Sequence, residues 1–226
     1  ANPYISKLDA GFADLLKRFQ INILPSGDLI QLFEAVWSDE QWQSHLAAEK
    51  VTTKAFELAW NLIADDVRSH GFCEELKVQK RILDHFDANH MVTDHPPIVA
   101  VGPNSGNPHY ETGTGEKTKI QEKELVLIDL WGKLNQPHAV YSDLTRMGYT
   151  DNTHPVEEEE VFQVVASARD AAIEKVENAL KSNSPIQGWE VDQAAREVIE
   201  QSGYGNYFVH RTGHSIGQET HGNGAN

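Results

Sequence analysis

Cysteine is almost missing from this 226-residue sequence. Cys73 stands alone, which excludes an intrachain disulfide and a cysteine-based zinc site and suits a reducing compartment. Cys73 itself reads as a small packed side chain. Basic residues are also scarce, with 19 Lys and Arg against 34 Asp and Glu, and the resulting charge of −15 disfavours phosphate backbones and anionic membranes as partners. No apolar run approaches the roughly 20 residues of a membrane-spanning helix. The opening Ala1-Asn2-Pro3-Tyr4 lacks an initiator Met and shows neither the basic nor the apolar part of a signal peptide, and a cytoplasmic location is the expectation. That opening and the loop-like ending Gly222-Asn223-Gly224-Ala225-Asn226 both read as cut ends. What is present, 39% hydrophobic and 23% charged residues, fits a globular protein with a sizeable core and excludes low-complexity or highly charged disordered chains. The length allows one domain with an appendage, or two small domains.

Hydrophobic spacing predicts a helix over Leu8 to Gln20 and a short buried strand at Ile21-Asn22-Ile23-Leu24, broken by Pro25-Ser26-Gly27-Asp28. This opening reads as the last helix and strand of a preceding unit. Ser38 followed by Gln41 reads as a capping box, opening a long helix with Trp42, Leu46, Phe56, Ala59, Leu62, Ile63 and Val67 largely on one side and Gly71 at its end. A second amphipathic helix carries Leu76, Val78, Ile82, Leu83 and Phe86. The period then changes. Ile98 to Val101 is a compact strand feeding a polar loop that reaches Gly115, and two more strands are expected at Leu125–Trp131 and His138–Leu144, with Asn135-Gln136-Pro137 as the turn. Pro155 opens a third long helix, where Glu157 to Glu160 serve the helix start. Its apolar side is Val161, Val164, Val165, Ala168, Ala172, Val176 and Leu180. A fourth helix runs from about Glu190 to Gln201, ended by Gly203, and Tyr207-Phe208-Val209-His210 reads as a strand.

Three features carry chemistry. Asp129 lies inside the apolar Val126-Leu127-Ile128-Asp129-Leu130-Trp131, and a carboxylate buried there would need a partner such as a metal. Asp143 lies in the next strand; direct pairing of the two centres the hairpin turn on Gln136 and makes them cross-strand neighbours suited to a shared divalent cation. A single slip in register would spoil that arrangement. In the alternative reading, one aspartate belongs to the turn and the other is solvated. The second feature is His210, His214 and His221 within twelve residues; the intervening glycines argue against a helix, and in an extended backbone His210, Thr212 and His214 share a face. The third is His109, in a polar loop after a buried strand. His85, His90 and His95 do not share a helix face and read as surface or boundary residues.

In order and spacing, Val101-Gly102-Pro103-Asn104-Ser105-Gly106-Asn107-Pro108-His109, Val126 to Trp131, Tyr141-Ser142-Asp143-Leu144-Thr145-Arg146 and His210 to His221 resemble the metallopeptidases that include methionine aminopeptidase, aminopeptidase P, prolidase and creatinase. The resemblance covers roughly residues 45–226. It implies an α/β (α+β) pita-bread fold, an antiparallel curved sheet covered by helices, incomplete at the C-terminus. Residues 1–40 are then the remnant of an N-terminal domain and linker, and residues 41–226 a partial catalytic domain. It further implies that Asp129 chelates one metal, Asp143 bridges two and His214 is the histidine ligand. His109 and His221 resemble the non-ligand histidines that contact substrate and stabilise the tetrahedral intermediate. His210 resembles an additional histidine of the proline-specific branch. Thr145, on the same strand face as Asp143, reads as a supporting hydroxyl.

The implied activity is hydrolysis of N-terminal or dipeptide Xaa-Pro bonds through a dinuclear metal-bound hydroxide, with two divalent ions drawn from Mn, Co, Zn or Fe. A peptide is the expected substrate and partner, with neither nucleic acid nor membrane, and a homodimer is left open. Trp131 and Ser215 stand where the family usually has glycine, and Gly222-Asn223-Gly224 replaces an acidic-proline continuation. The family also uses two glutamates from strands beyond the His221 motif, and the sequence ends five residues after it. Three of five ligands are therefore expected here, Glu219 being too near His214 to be a fourth, with weak metal binding and poor activity. A creatinase-like C–N hydrolase and a metal-free pita-bread module that binds a peptide or protein remain open as alternatives.

Overall fold

A computed structural model describes residues 8–24 and 26–222. The readings of Ala1–Tyr4, of Pro25 and of Asn223–Asn226 lie outside those residues. Helix α1 (Ala10–Arg18) is capped by Asp9, whose Oδ1 accepts the N–H groups of Gly11 and Phe12 at 2.9 and 3.2 Å. The strand expected at Ile21–Leu24 is not formed. Leu24 is 73% exposed, and no strand among the described residues offers this segment a ladder. A helix the hydrophobic spacing had not indicated, α2 (Gly27–Glu34), follows instead.

Helix α3 (Asp39–His70) stops where Gly71 turns to φ +81° and donates its N–H to the Val67 carbonyl at 2.9 Å, a conformation glycine adopts without steric cost. Strand β1 (Cys73–Glu74) leads into α4 (Glu75–Ala88) and β2 (Met91–Val92), and β3 (Ile98–Val101) runs into a 3₁₀ turn at Gly102–Gly106. Then come β4 (Lys119–Ile120), β5 (Leu125–Leu134) and β6 (Ser142–Tyr149). Two helices close the chain, α5 (Val156–Lys181) and α6 (Gly188–Gln201), before a 3₁₀ turn at Gly205–Tyr207. Among the described residues no helix is long and apolar enough to cross a membrane.

The chain divides into two compact units. One gathers the described residues of Ala1–Ser38, Ala168–Gly217 and His221–Asn226; the other is Asp39–Ser167 with Gln218–Thr220. In the second unit β5 pairs antiparallel with β2, β3 and β6, while β1 pairs with β4. Val126, Ile128 and Leu130 of β5 are fully buried with Phe56, Ala59 and Ile63 of α3 and Val78, Ile82 and Phe86 of α4. Period-two alternation turns the other β5 residues, including Asp129, to the partly exposed face.

In the first unit, α6 starts with a capping box between Gln187 and Glu190. The apolar side expected on α5 is only thinly buried: Ala168 and Ala172 are covered, whereas Leu180 is 72% exposed. The strand expected at Tyr207–His210 is also absent. Its carbonyls are taken by an arginine rather than by a neighbouring strand, as described next.

Candidate active site

The β5–β6 hairpin carries both aspartates, in a register that differs from the expected one. Asp129 faces Thr145, and Asp143 faces Trp131. The cause lies in residues 138–141, expected to begin β6. Val140 donates its N–H to Ser44 Oγ at 3.1 Å, and the Tyr141 carbonyl accepts from His45 Nδ1 at 2.7 Å. This apolar stretch is thus fastened to α3, and the ladder starts only at Ser142. Asp129 and Asp143 become diagonal neighbours on one face, at the roughly 7–8 Å of such pairs, with room for cations between them. Thr145 Oγ1 donates to Asp129 Oδ1 at 2.7 Å, which fixes the carboxylate as the hydroxyl's expected role requires.

Asp94, Lys133 and Thr220, which the sequence did not single out, gather beside this face with Trp131. The Trp131 indole N–H donates to Asp94 Oδ1 at 2.5 Å, and Thr220 Oγ1 reaches the same oxygen at 3.3 Å. Burial pushes the Asp94 carboxyl upward, but the hydrogen bonds from Trp131, a backbone N–H and Thr220, with nearby His95, hold it below the ordinary range. Lys133 Nζ donates to the Gln218 carbonyl at 2.5 Å. Residues 218–220 are therefore strapped to the sheet by β5 and by the loop after β2. No local pattern announces Asp94 or Lys133.

In the other unit, the His210–His221 segment is irregular and is shaped by α6. Asp192 Oδ1 accepts the Thr212 N–H at 2.7 Å and its hydroxyl at 2.8 Å, while Oδ2 accepts from Arg196 Nε and Nη2 at 3.1 and 3.0 Å. Arg196 then donates to the Phe208 and His210 carbonyls at 3.1 and 3.3 Å and lies 4.5 Å over the Phe208 ring. Burial pushes the Asp192 carboxyl upward, and the Thr212 and Arg196 donors outweigh it, leaving the group below the usual range. The Asp192–Arg196 spacing of four was the available signal in the sequence.

Further along, Ser215 and Gly222 close a loop on each other: Ser215 Oγ donates to the Gly222 carbonyl at 2.6 Å and Gly222 N–H to the Ser215 carbonyl at 2.8 Å. This brings His214 and His221 together, their rings 4.3 Å apart edge to face. His214 Nδ1 bonds the Ser215 carbonyl at 3.1 Å. His210 Nδ1 bonds the Arg211 carbonyl at 3.0 Å. All three rings are exposed, as are His109 and Glu219. His109 belongs to the same unit as Asp129 and Asp143; His210, His214 and His221 belong to the other. Within neither unit, among the described residues, are three His, Cys, Asp or Glu side chains gathered as a metal cluster.

An antiparallel sheet under two helices with two aspartates on one face is a scaffold suited to holding divalent metal. Residues 43–226 match the model of metallopeptidase family M24, and the chain belongs to that family. It is 31% identical over 167 residues to an Xaa-Pro dipeptidase of Lactobacillus delbrueckii subsp. lactis, covering 74% of this chain and 41% of the relative. An uncharacterized peptidase of Staphylococcus aureus is 27% identical over 208 residues, 92% of this chain and 54% of the relative. The chain thus spans about half the length of the curated relatives it matches. The prolidase from Pyrococcus horikoshii superposes with a TM-score of 0.69 at 26% identity, covering 96% of this chain and 58% of that one. Prolidase from Pyrococcus furiosus gives 0.69 at 24%, with coverages of 96% and 59%, a likeness of fold. The pita-bread architecture expected from the motifs is therefore present.

The family implies divalent metal cofactors, and the donor set fits them. The carboxylates of Asp129 and Asp143 on one face are hard ligands of the kind Mn, Fe, Co and Zn accept.

Proposed function

We propose that the chain carries the metal-binding part of an exopeptidase that cleaves N-terminal or dipeptide Xaa-Pro bonds. The observation that carries the reading is the hairpin face: Asp129 and Asp143 in diagonal register, with Thr145 holding Asp129. Asp129 and Asp143 would hold two divalent cations, with His214 as a nitrogen ligand. When bound, the cations supply Lewis acidity and an acidified water for attack on the peptide carbonyl. His109 and His221 donate hydrogen bonds to the carbonyl oxygen as it gains charge. His210, the counterpart of an additional histidine in the proline-specific branch, favours Xaa-Pro substrates in this reading. Residues 41–226 form part of the catalytic domain in this reading, and residues 1–40 the remnant of an N-terminal domain and linker. The formal net charge of −15 over the 226 residues accords with a peptide substrate rather than nucleic acid or an anionic membrane.

Titration of Co²⁺ or Mn²⁺ into the protein and into D143A tests the site. The variant is expected to bind at least about tenfold more weakly, the usual scale for losing support in a metal site. Equal affinities would overturn the reading. Hydrolysis of Xaa-Pro dipeptides and longer Xaa-Pro peptides with either metal tests the substrate. In a longer parent chain that supplies the two further glutamates, metal binding with no cleavage of any Xaa-Pro bond would refute the exopeptidase assignment, and peptide binding without metal would favour a binding module.

A further inference from the structure

Glu75, the first residue of α4, is fully buried, and four donors converge on it. Oε1 accepts the Val101 N–H at 2.8 Å and Asn104 Nδ2 at 3.3 Å. Oε2 accepts the Tyr110 hydroxyl at 2.7 Å and the Gly113 N–H at 3.0 Å. The Tyr110 oxygen itself accepts the Gly115 N–H at 3.1 Å, which directs its own proton to Glu75. Gly113 reaches the carboxylate at φ +85°, where a Cβ would lie 2.8 Å from Leu76 Cγ. Such a site suits a carboxylate at a helix N-terminus, and glutamate is rarely buried so fully without partners.

The donors bracket His109. Asn104 precedes it and Tyr110 follows it, and both bond Glu75. Between them the chain is a series of turns: Asn107 N–H to the Asn104 carbonyl at 3.1 Å, Tyr110 N–H to the Asn107 carbonyl at 3.1 Å, and His109 N–H to Asn107 Oδ1 at 3.0 Å. We propose that Glu75 is a positioning residue whose carboxylate pins both ends of this loop and so sets where His109 stands. The inference rests on the reading of His109 as a substrate-contacting residue. Glutamine is a poor substitute, since its NH₂ would face the Tyr110 hydroxyl and the Gly113 N–H, leaving Gly113 without an acceptor.

The test compares E75Q, Y110F and H109A with the unsubstituted protein. In E75Q, amide hydrogen exchange across residues 101–115 is expected to rise roughly tenfold, with residues 125–149 unchanged. Y110F, which removes one donor of four, gives the same local pattern at smaller amplitude and serves if E75Q fails to fold. In metal-loaded protein acting on an Xaa-Pro dipeptide, E75Q lowers kcat roughly tenfold or more with little change in KM, and costs nothing further once H109A is in place. Unchanged exchange over 101–115, a rise shared equally by 125–149, or a full E75Q effect on kcat in the H109A background would each overturn the proposal. An H109A variant with unaltered kcat would refute the reading of His109 instead, and the exchange result decides the Glu75 contact without any turnover.

Discussion

Thr145 is an exposed residue whose hydroxyl has one described task, to hold Asp129. Deleting that hydroxyl should leave the fold's stability within about 0.5 kcal/mol, the usual range for surface changes. The same T145A change is expected to weaken Co²⁺ or Mn²⁺ binding about ten- to a hundredfold, with T145S restoring it. Calorimetric titration beside a thermal melt checks both halves, and a T145A protein that binds metal like its parent would contradict the role. The burial expected of Asp129 from its apolar neighbours is not found, because the strand alternates with period two and only Ile128 and Leu130 on either side of it face the core. Its cross-strand partner was not legible in the sequence. Register depends on Ser44 and His45 of α3 taking up Val140 and Tyr141, a tertiary contact about which nothing in the hairpin's own residues informs.

Elements show the same division between local and distant causes. Helices α3, α4, α5 and α6 were readable from apolar spacing and from stop signals such as Gly71. Tyr207-Phe208-Val209-His210 has the composition of a strand, yet strand preference is realised only against a neighbouring ladder. Here α6 supplies the partner instead, through Arg196, and holds the stretch irregular. Removing one member of the Asp192–Arg196 pair should free the whole segment. D192N keeps the size of the side chain and loses the charge that organises Arg196, and is expected to cost about 1–3 kcal/mol on denaturant unfolding. Exchange at the Thr212 amide should rise with it, while β5 and β6 stay protected. A Thr212 amide that exchanges at its original rate would show that α6 does not shape the histidine segment.

For the molecule as a whole, acidity is the governing property. Asp66, Asp94 and Asp192 are each held below the ordinary carboxyl range: Asp66 by the Lys77 ammonium 2.5 Å away, against the opposing pull of burial, and the other two by the donors described above. A carboxyl with a depressed folded pKa gives stability that is complete above its unfolded pKa, near 4, and is lost as pH falls through the folded one. Self-repulsion works in the opposite sense, since the charge of −15 at neutrality shrinks toward the pI of about 5.1. The thermal midpoint at low salt is therefore expected to hold or rise from pH 7 to 5 and to fall steeply below about pH 4. Added salt should flatten the first limb only, and D66N should soften the second. A midpoint that declines steadily from pH 7 would sink this account.

The hairpin register has a further consequence, one of parity. Adding or removing an odd number of residues within β5 or β6 would turn one aspartate to the face packed under α3 and α4, where a stranded carboxylate costs on the order of several kcal/mol. An even number slides one aspartate along the other and keeps both on the open side. Length variation in this hairpin is therefore expected in steps of two, and the stretch fastened by Ser44 and His45 has no slack to take up a single extra residue.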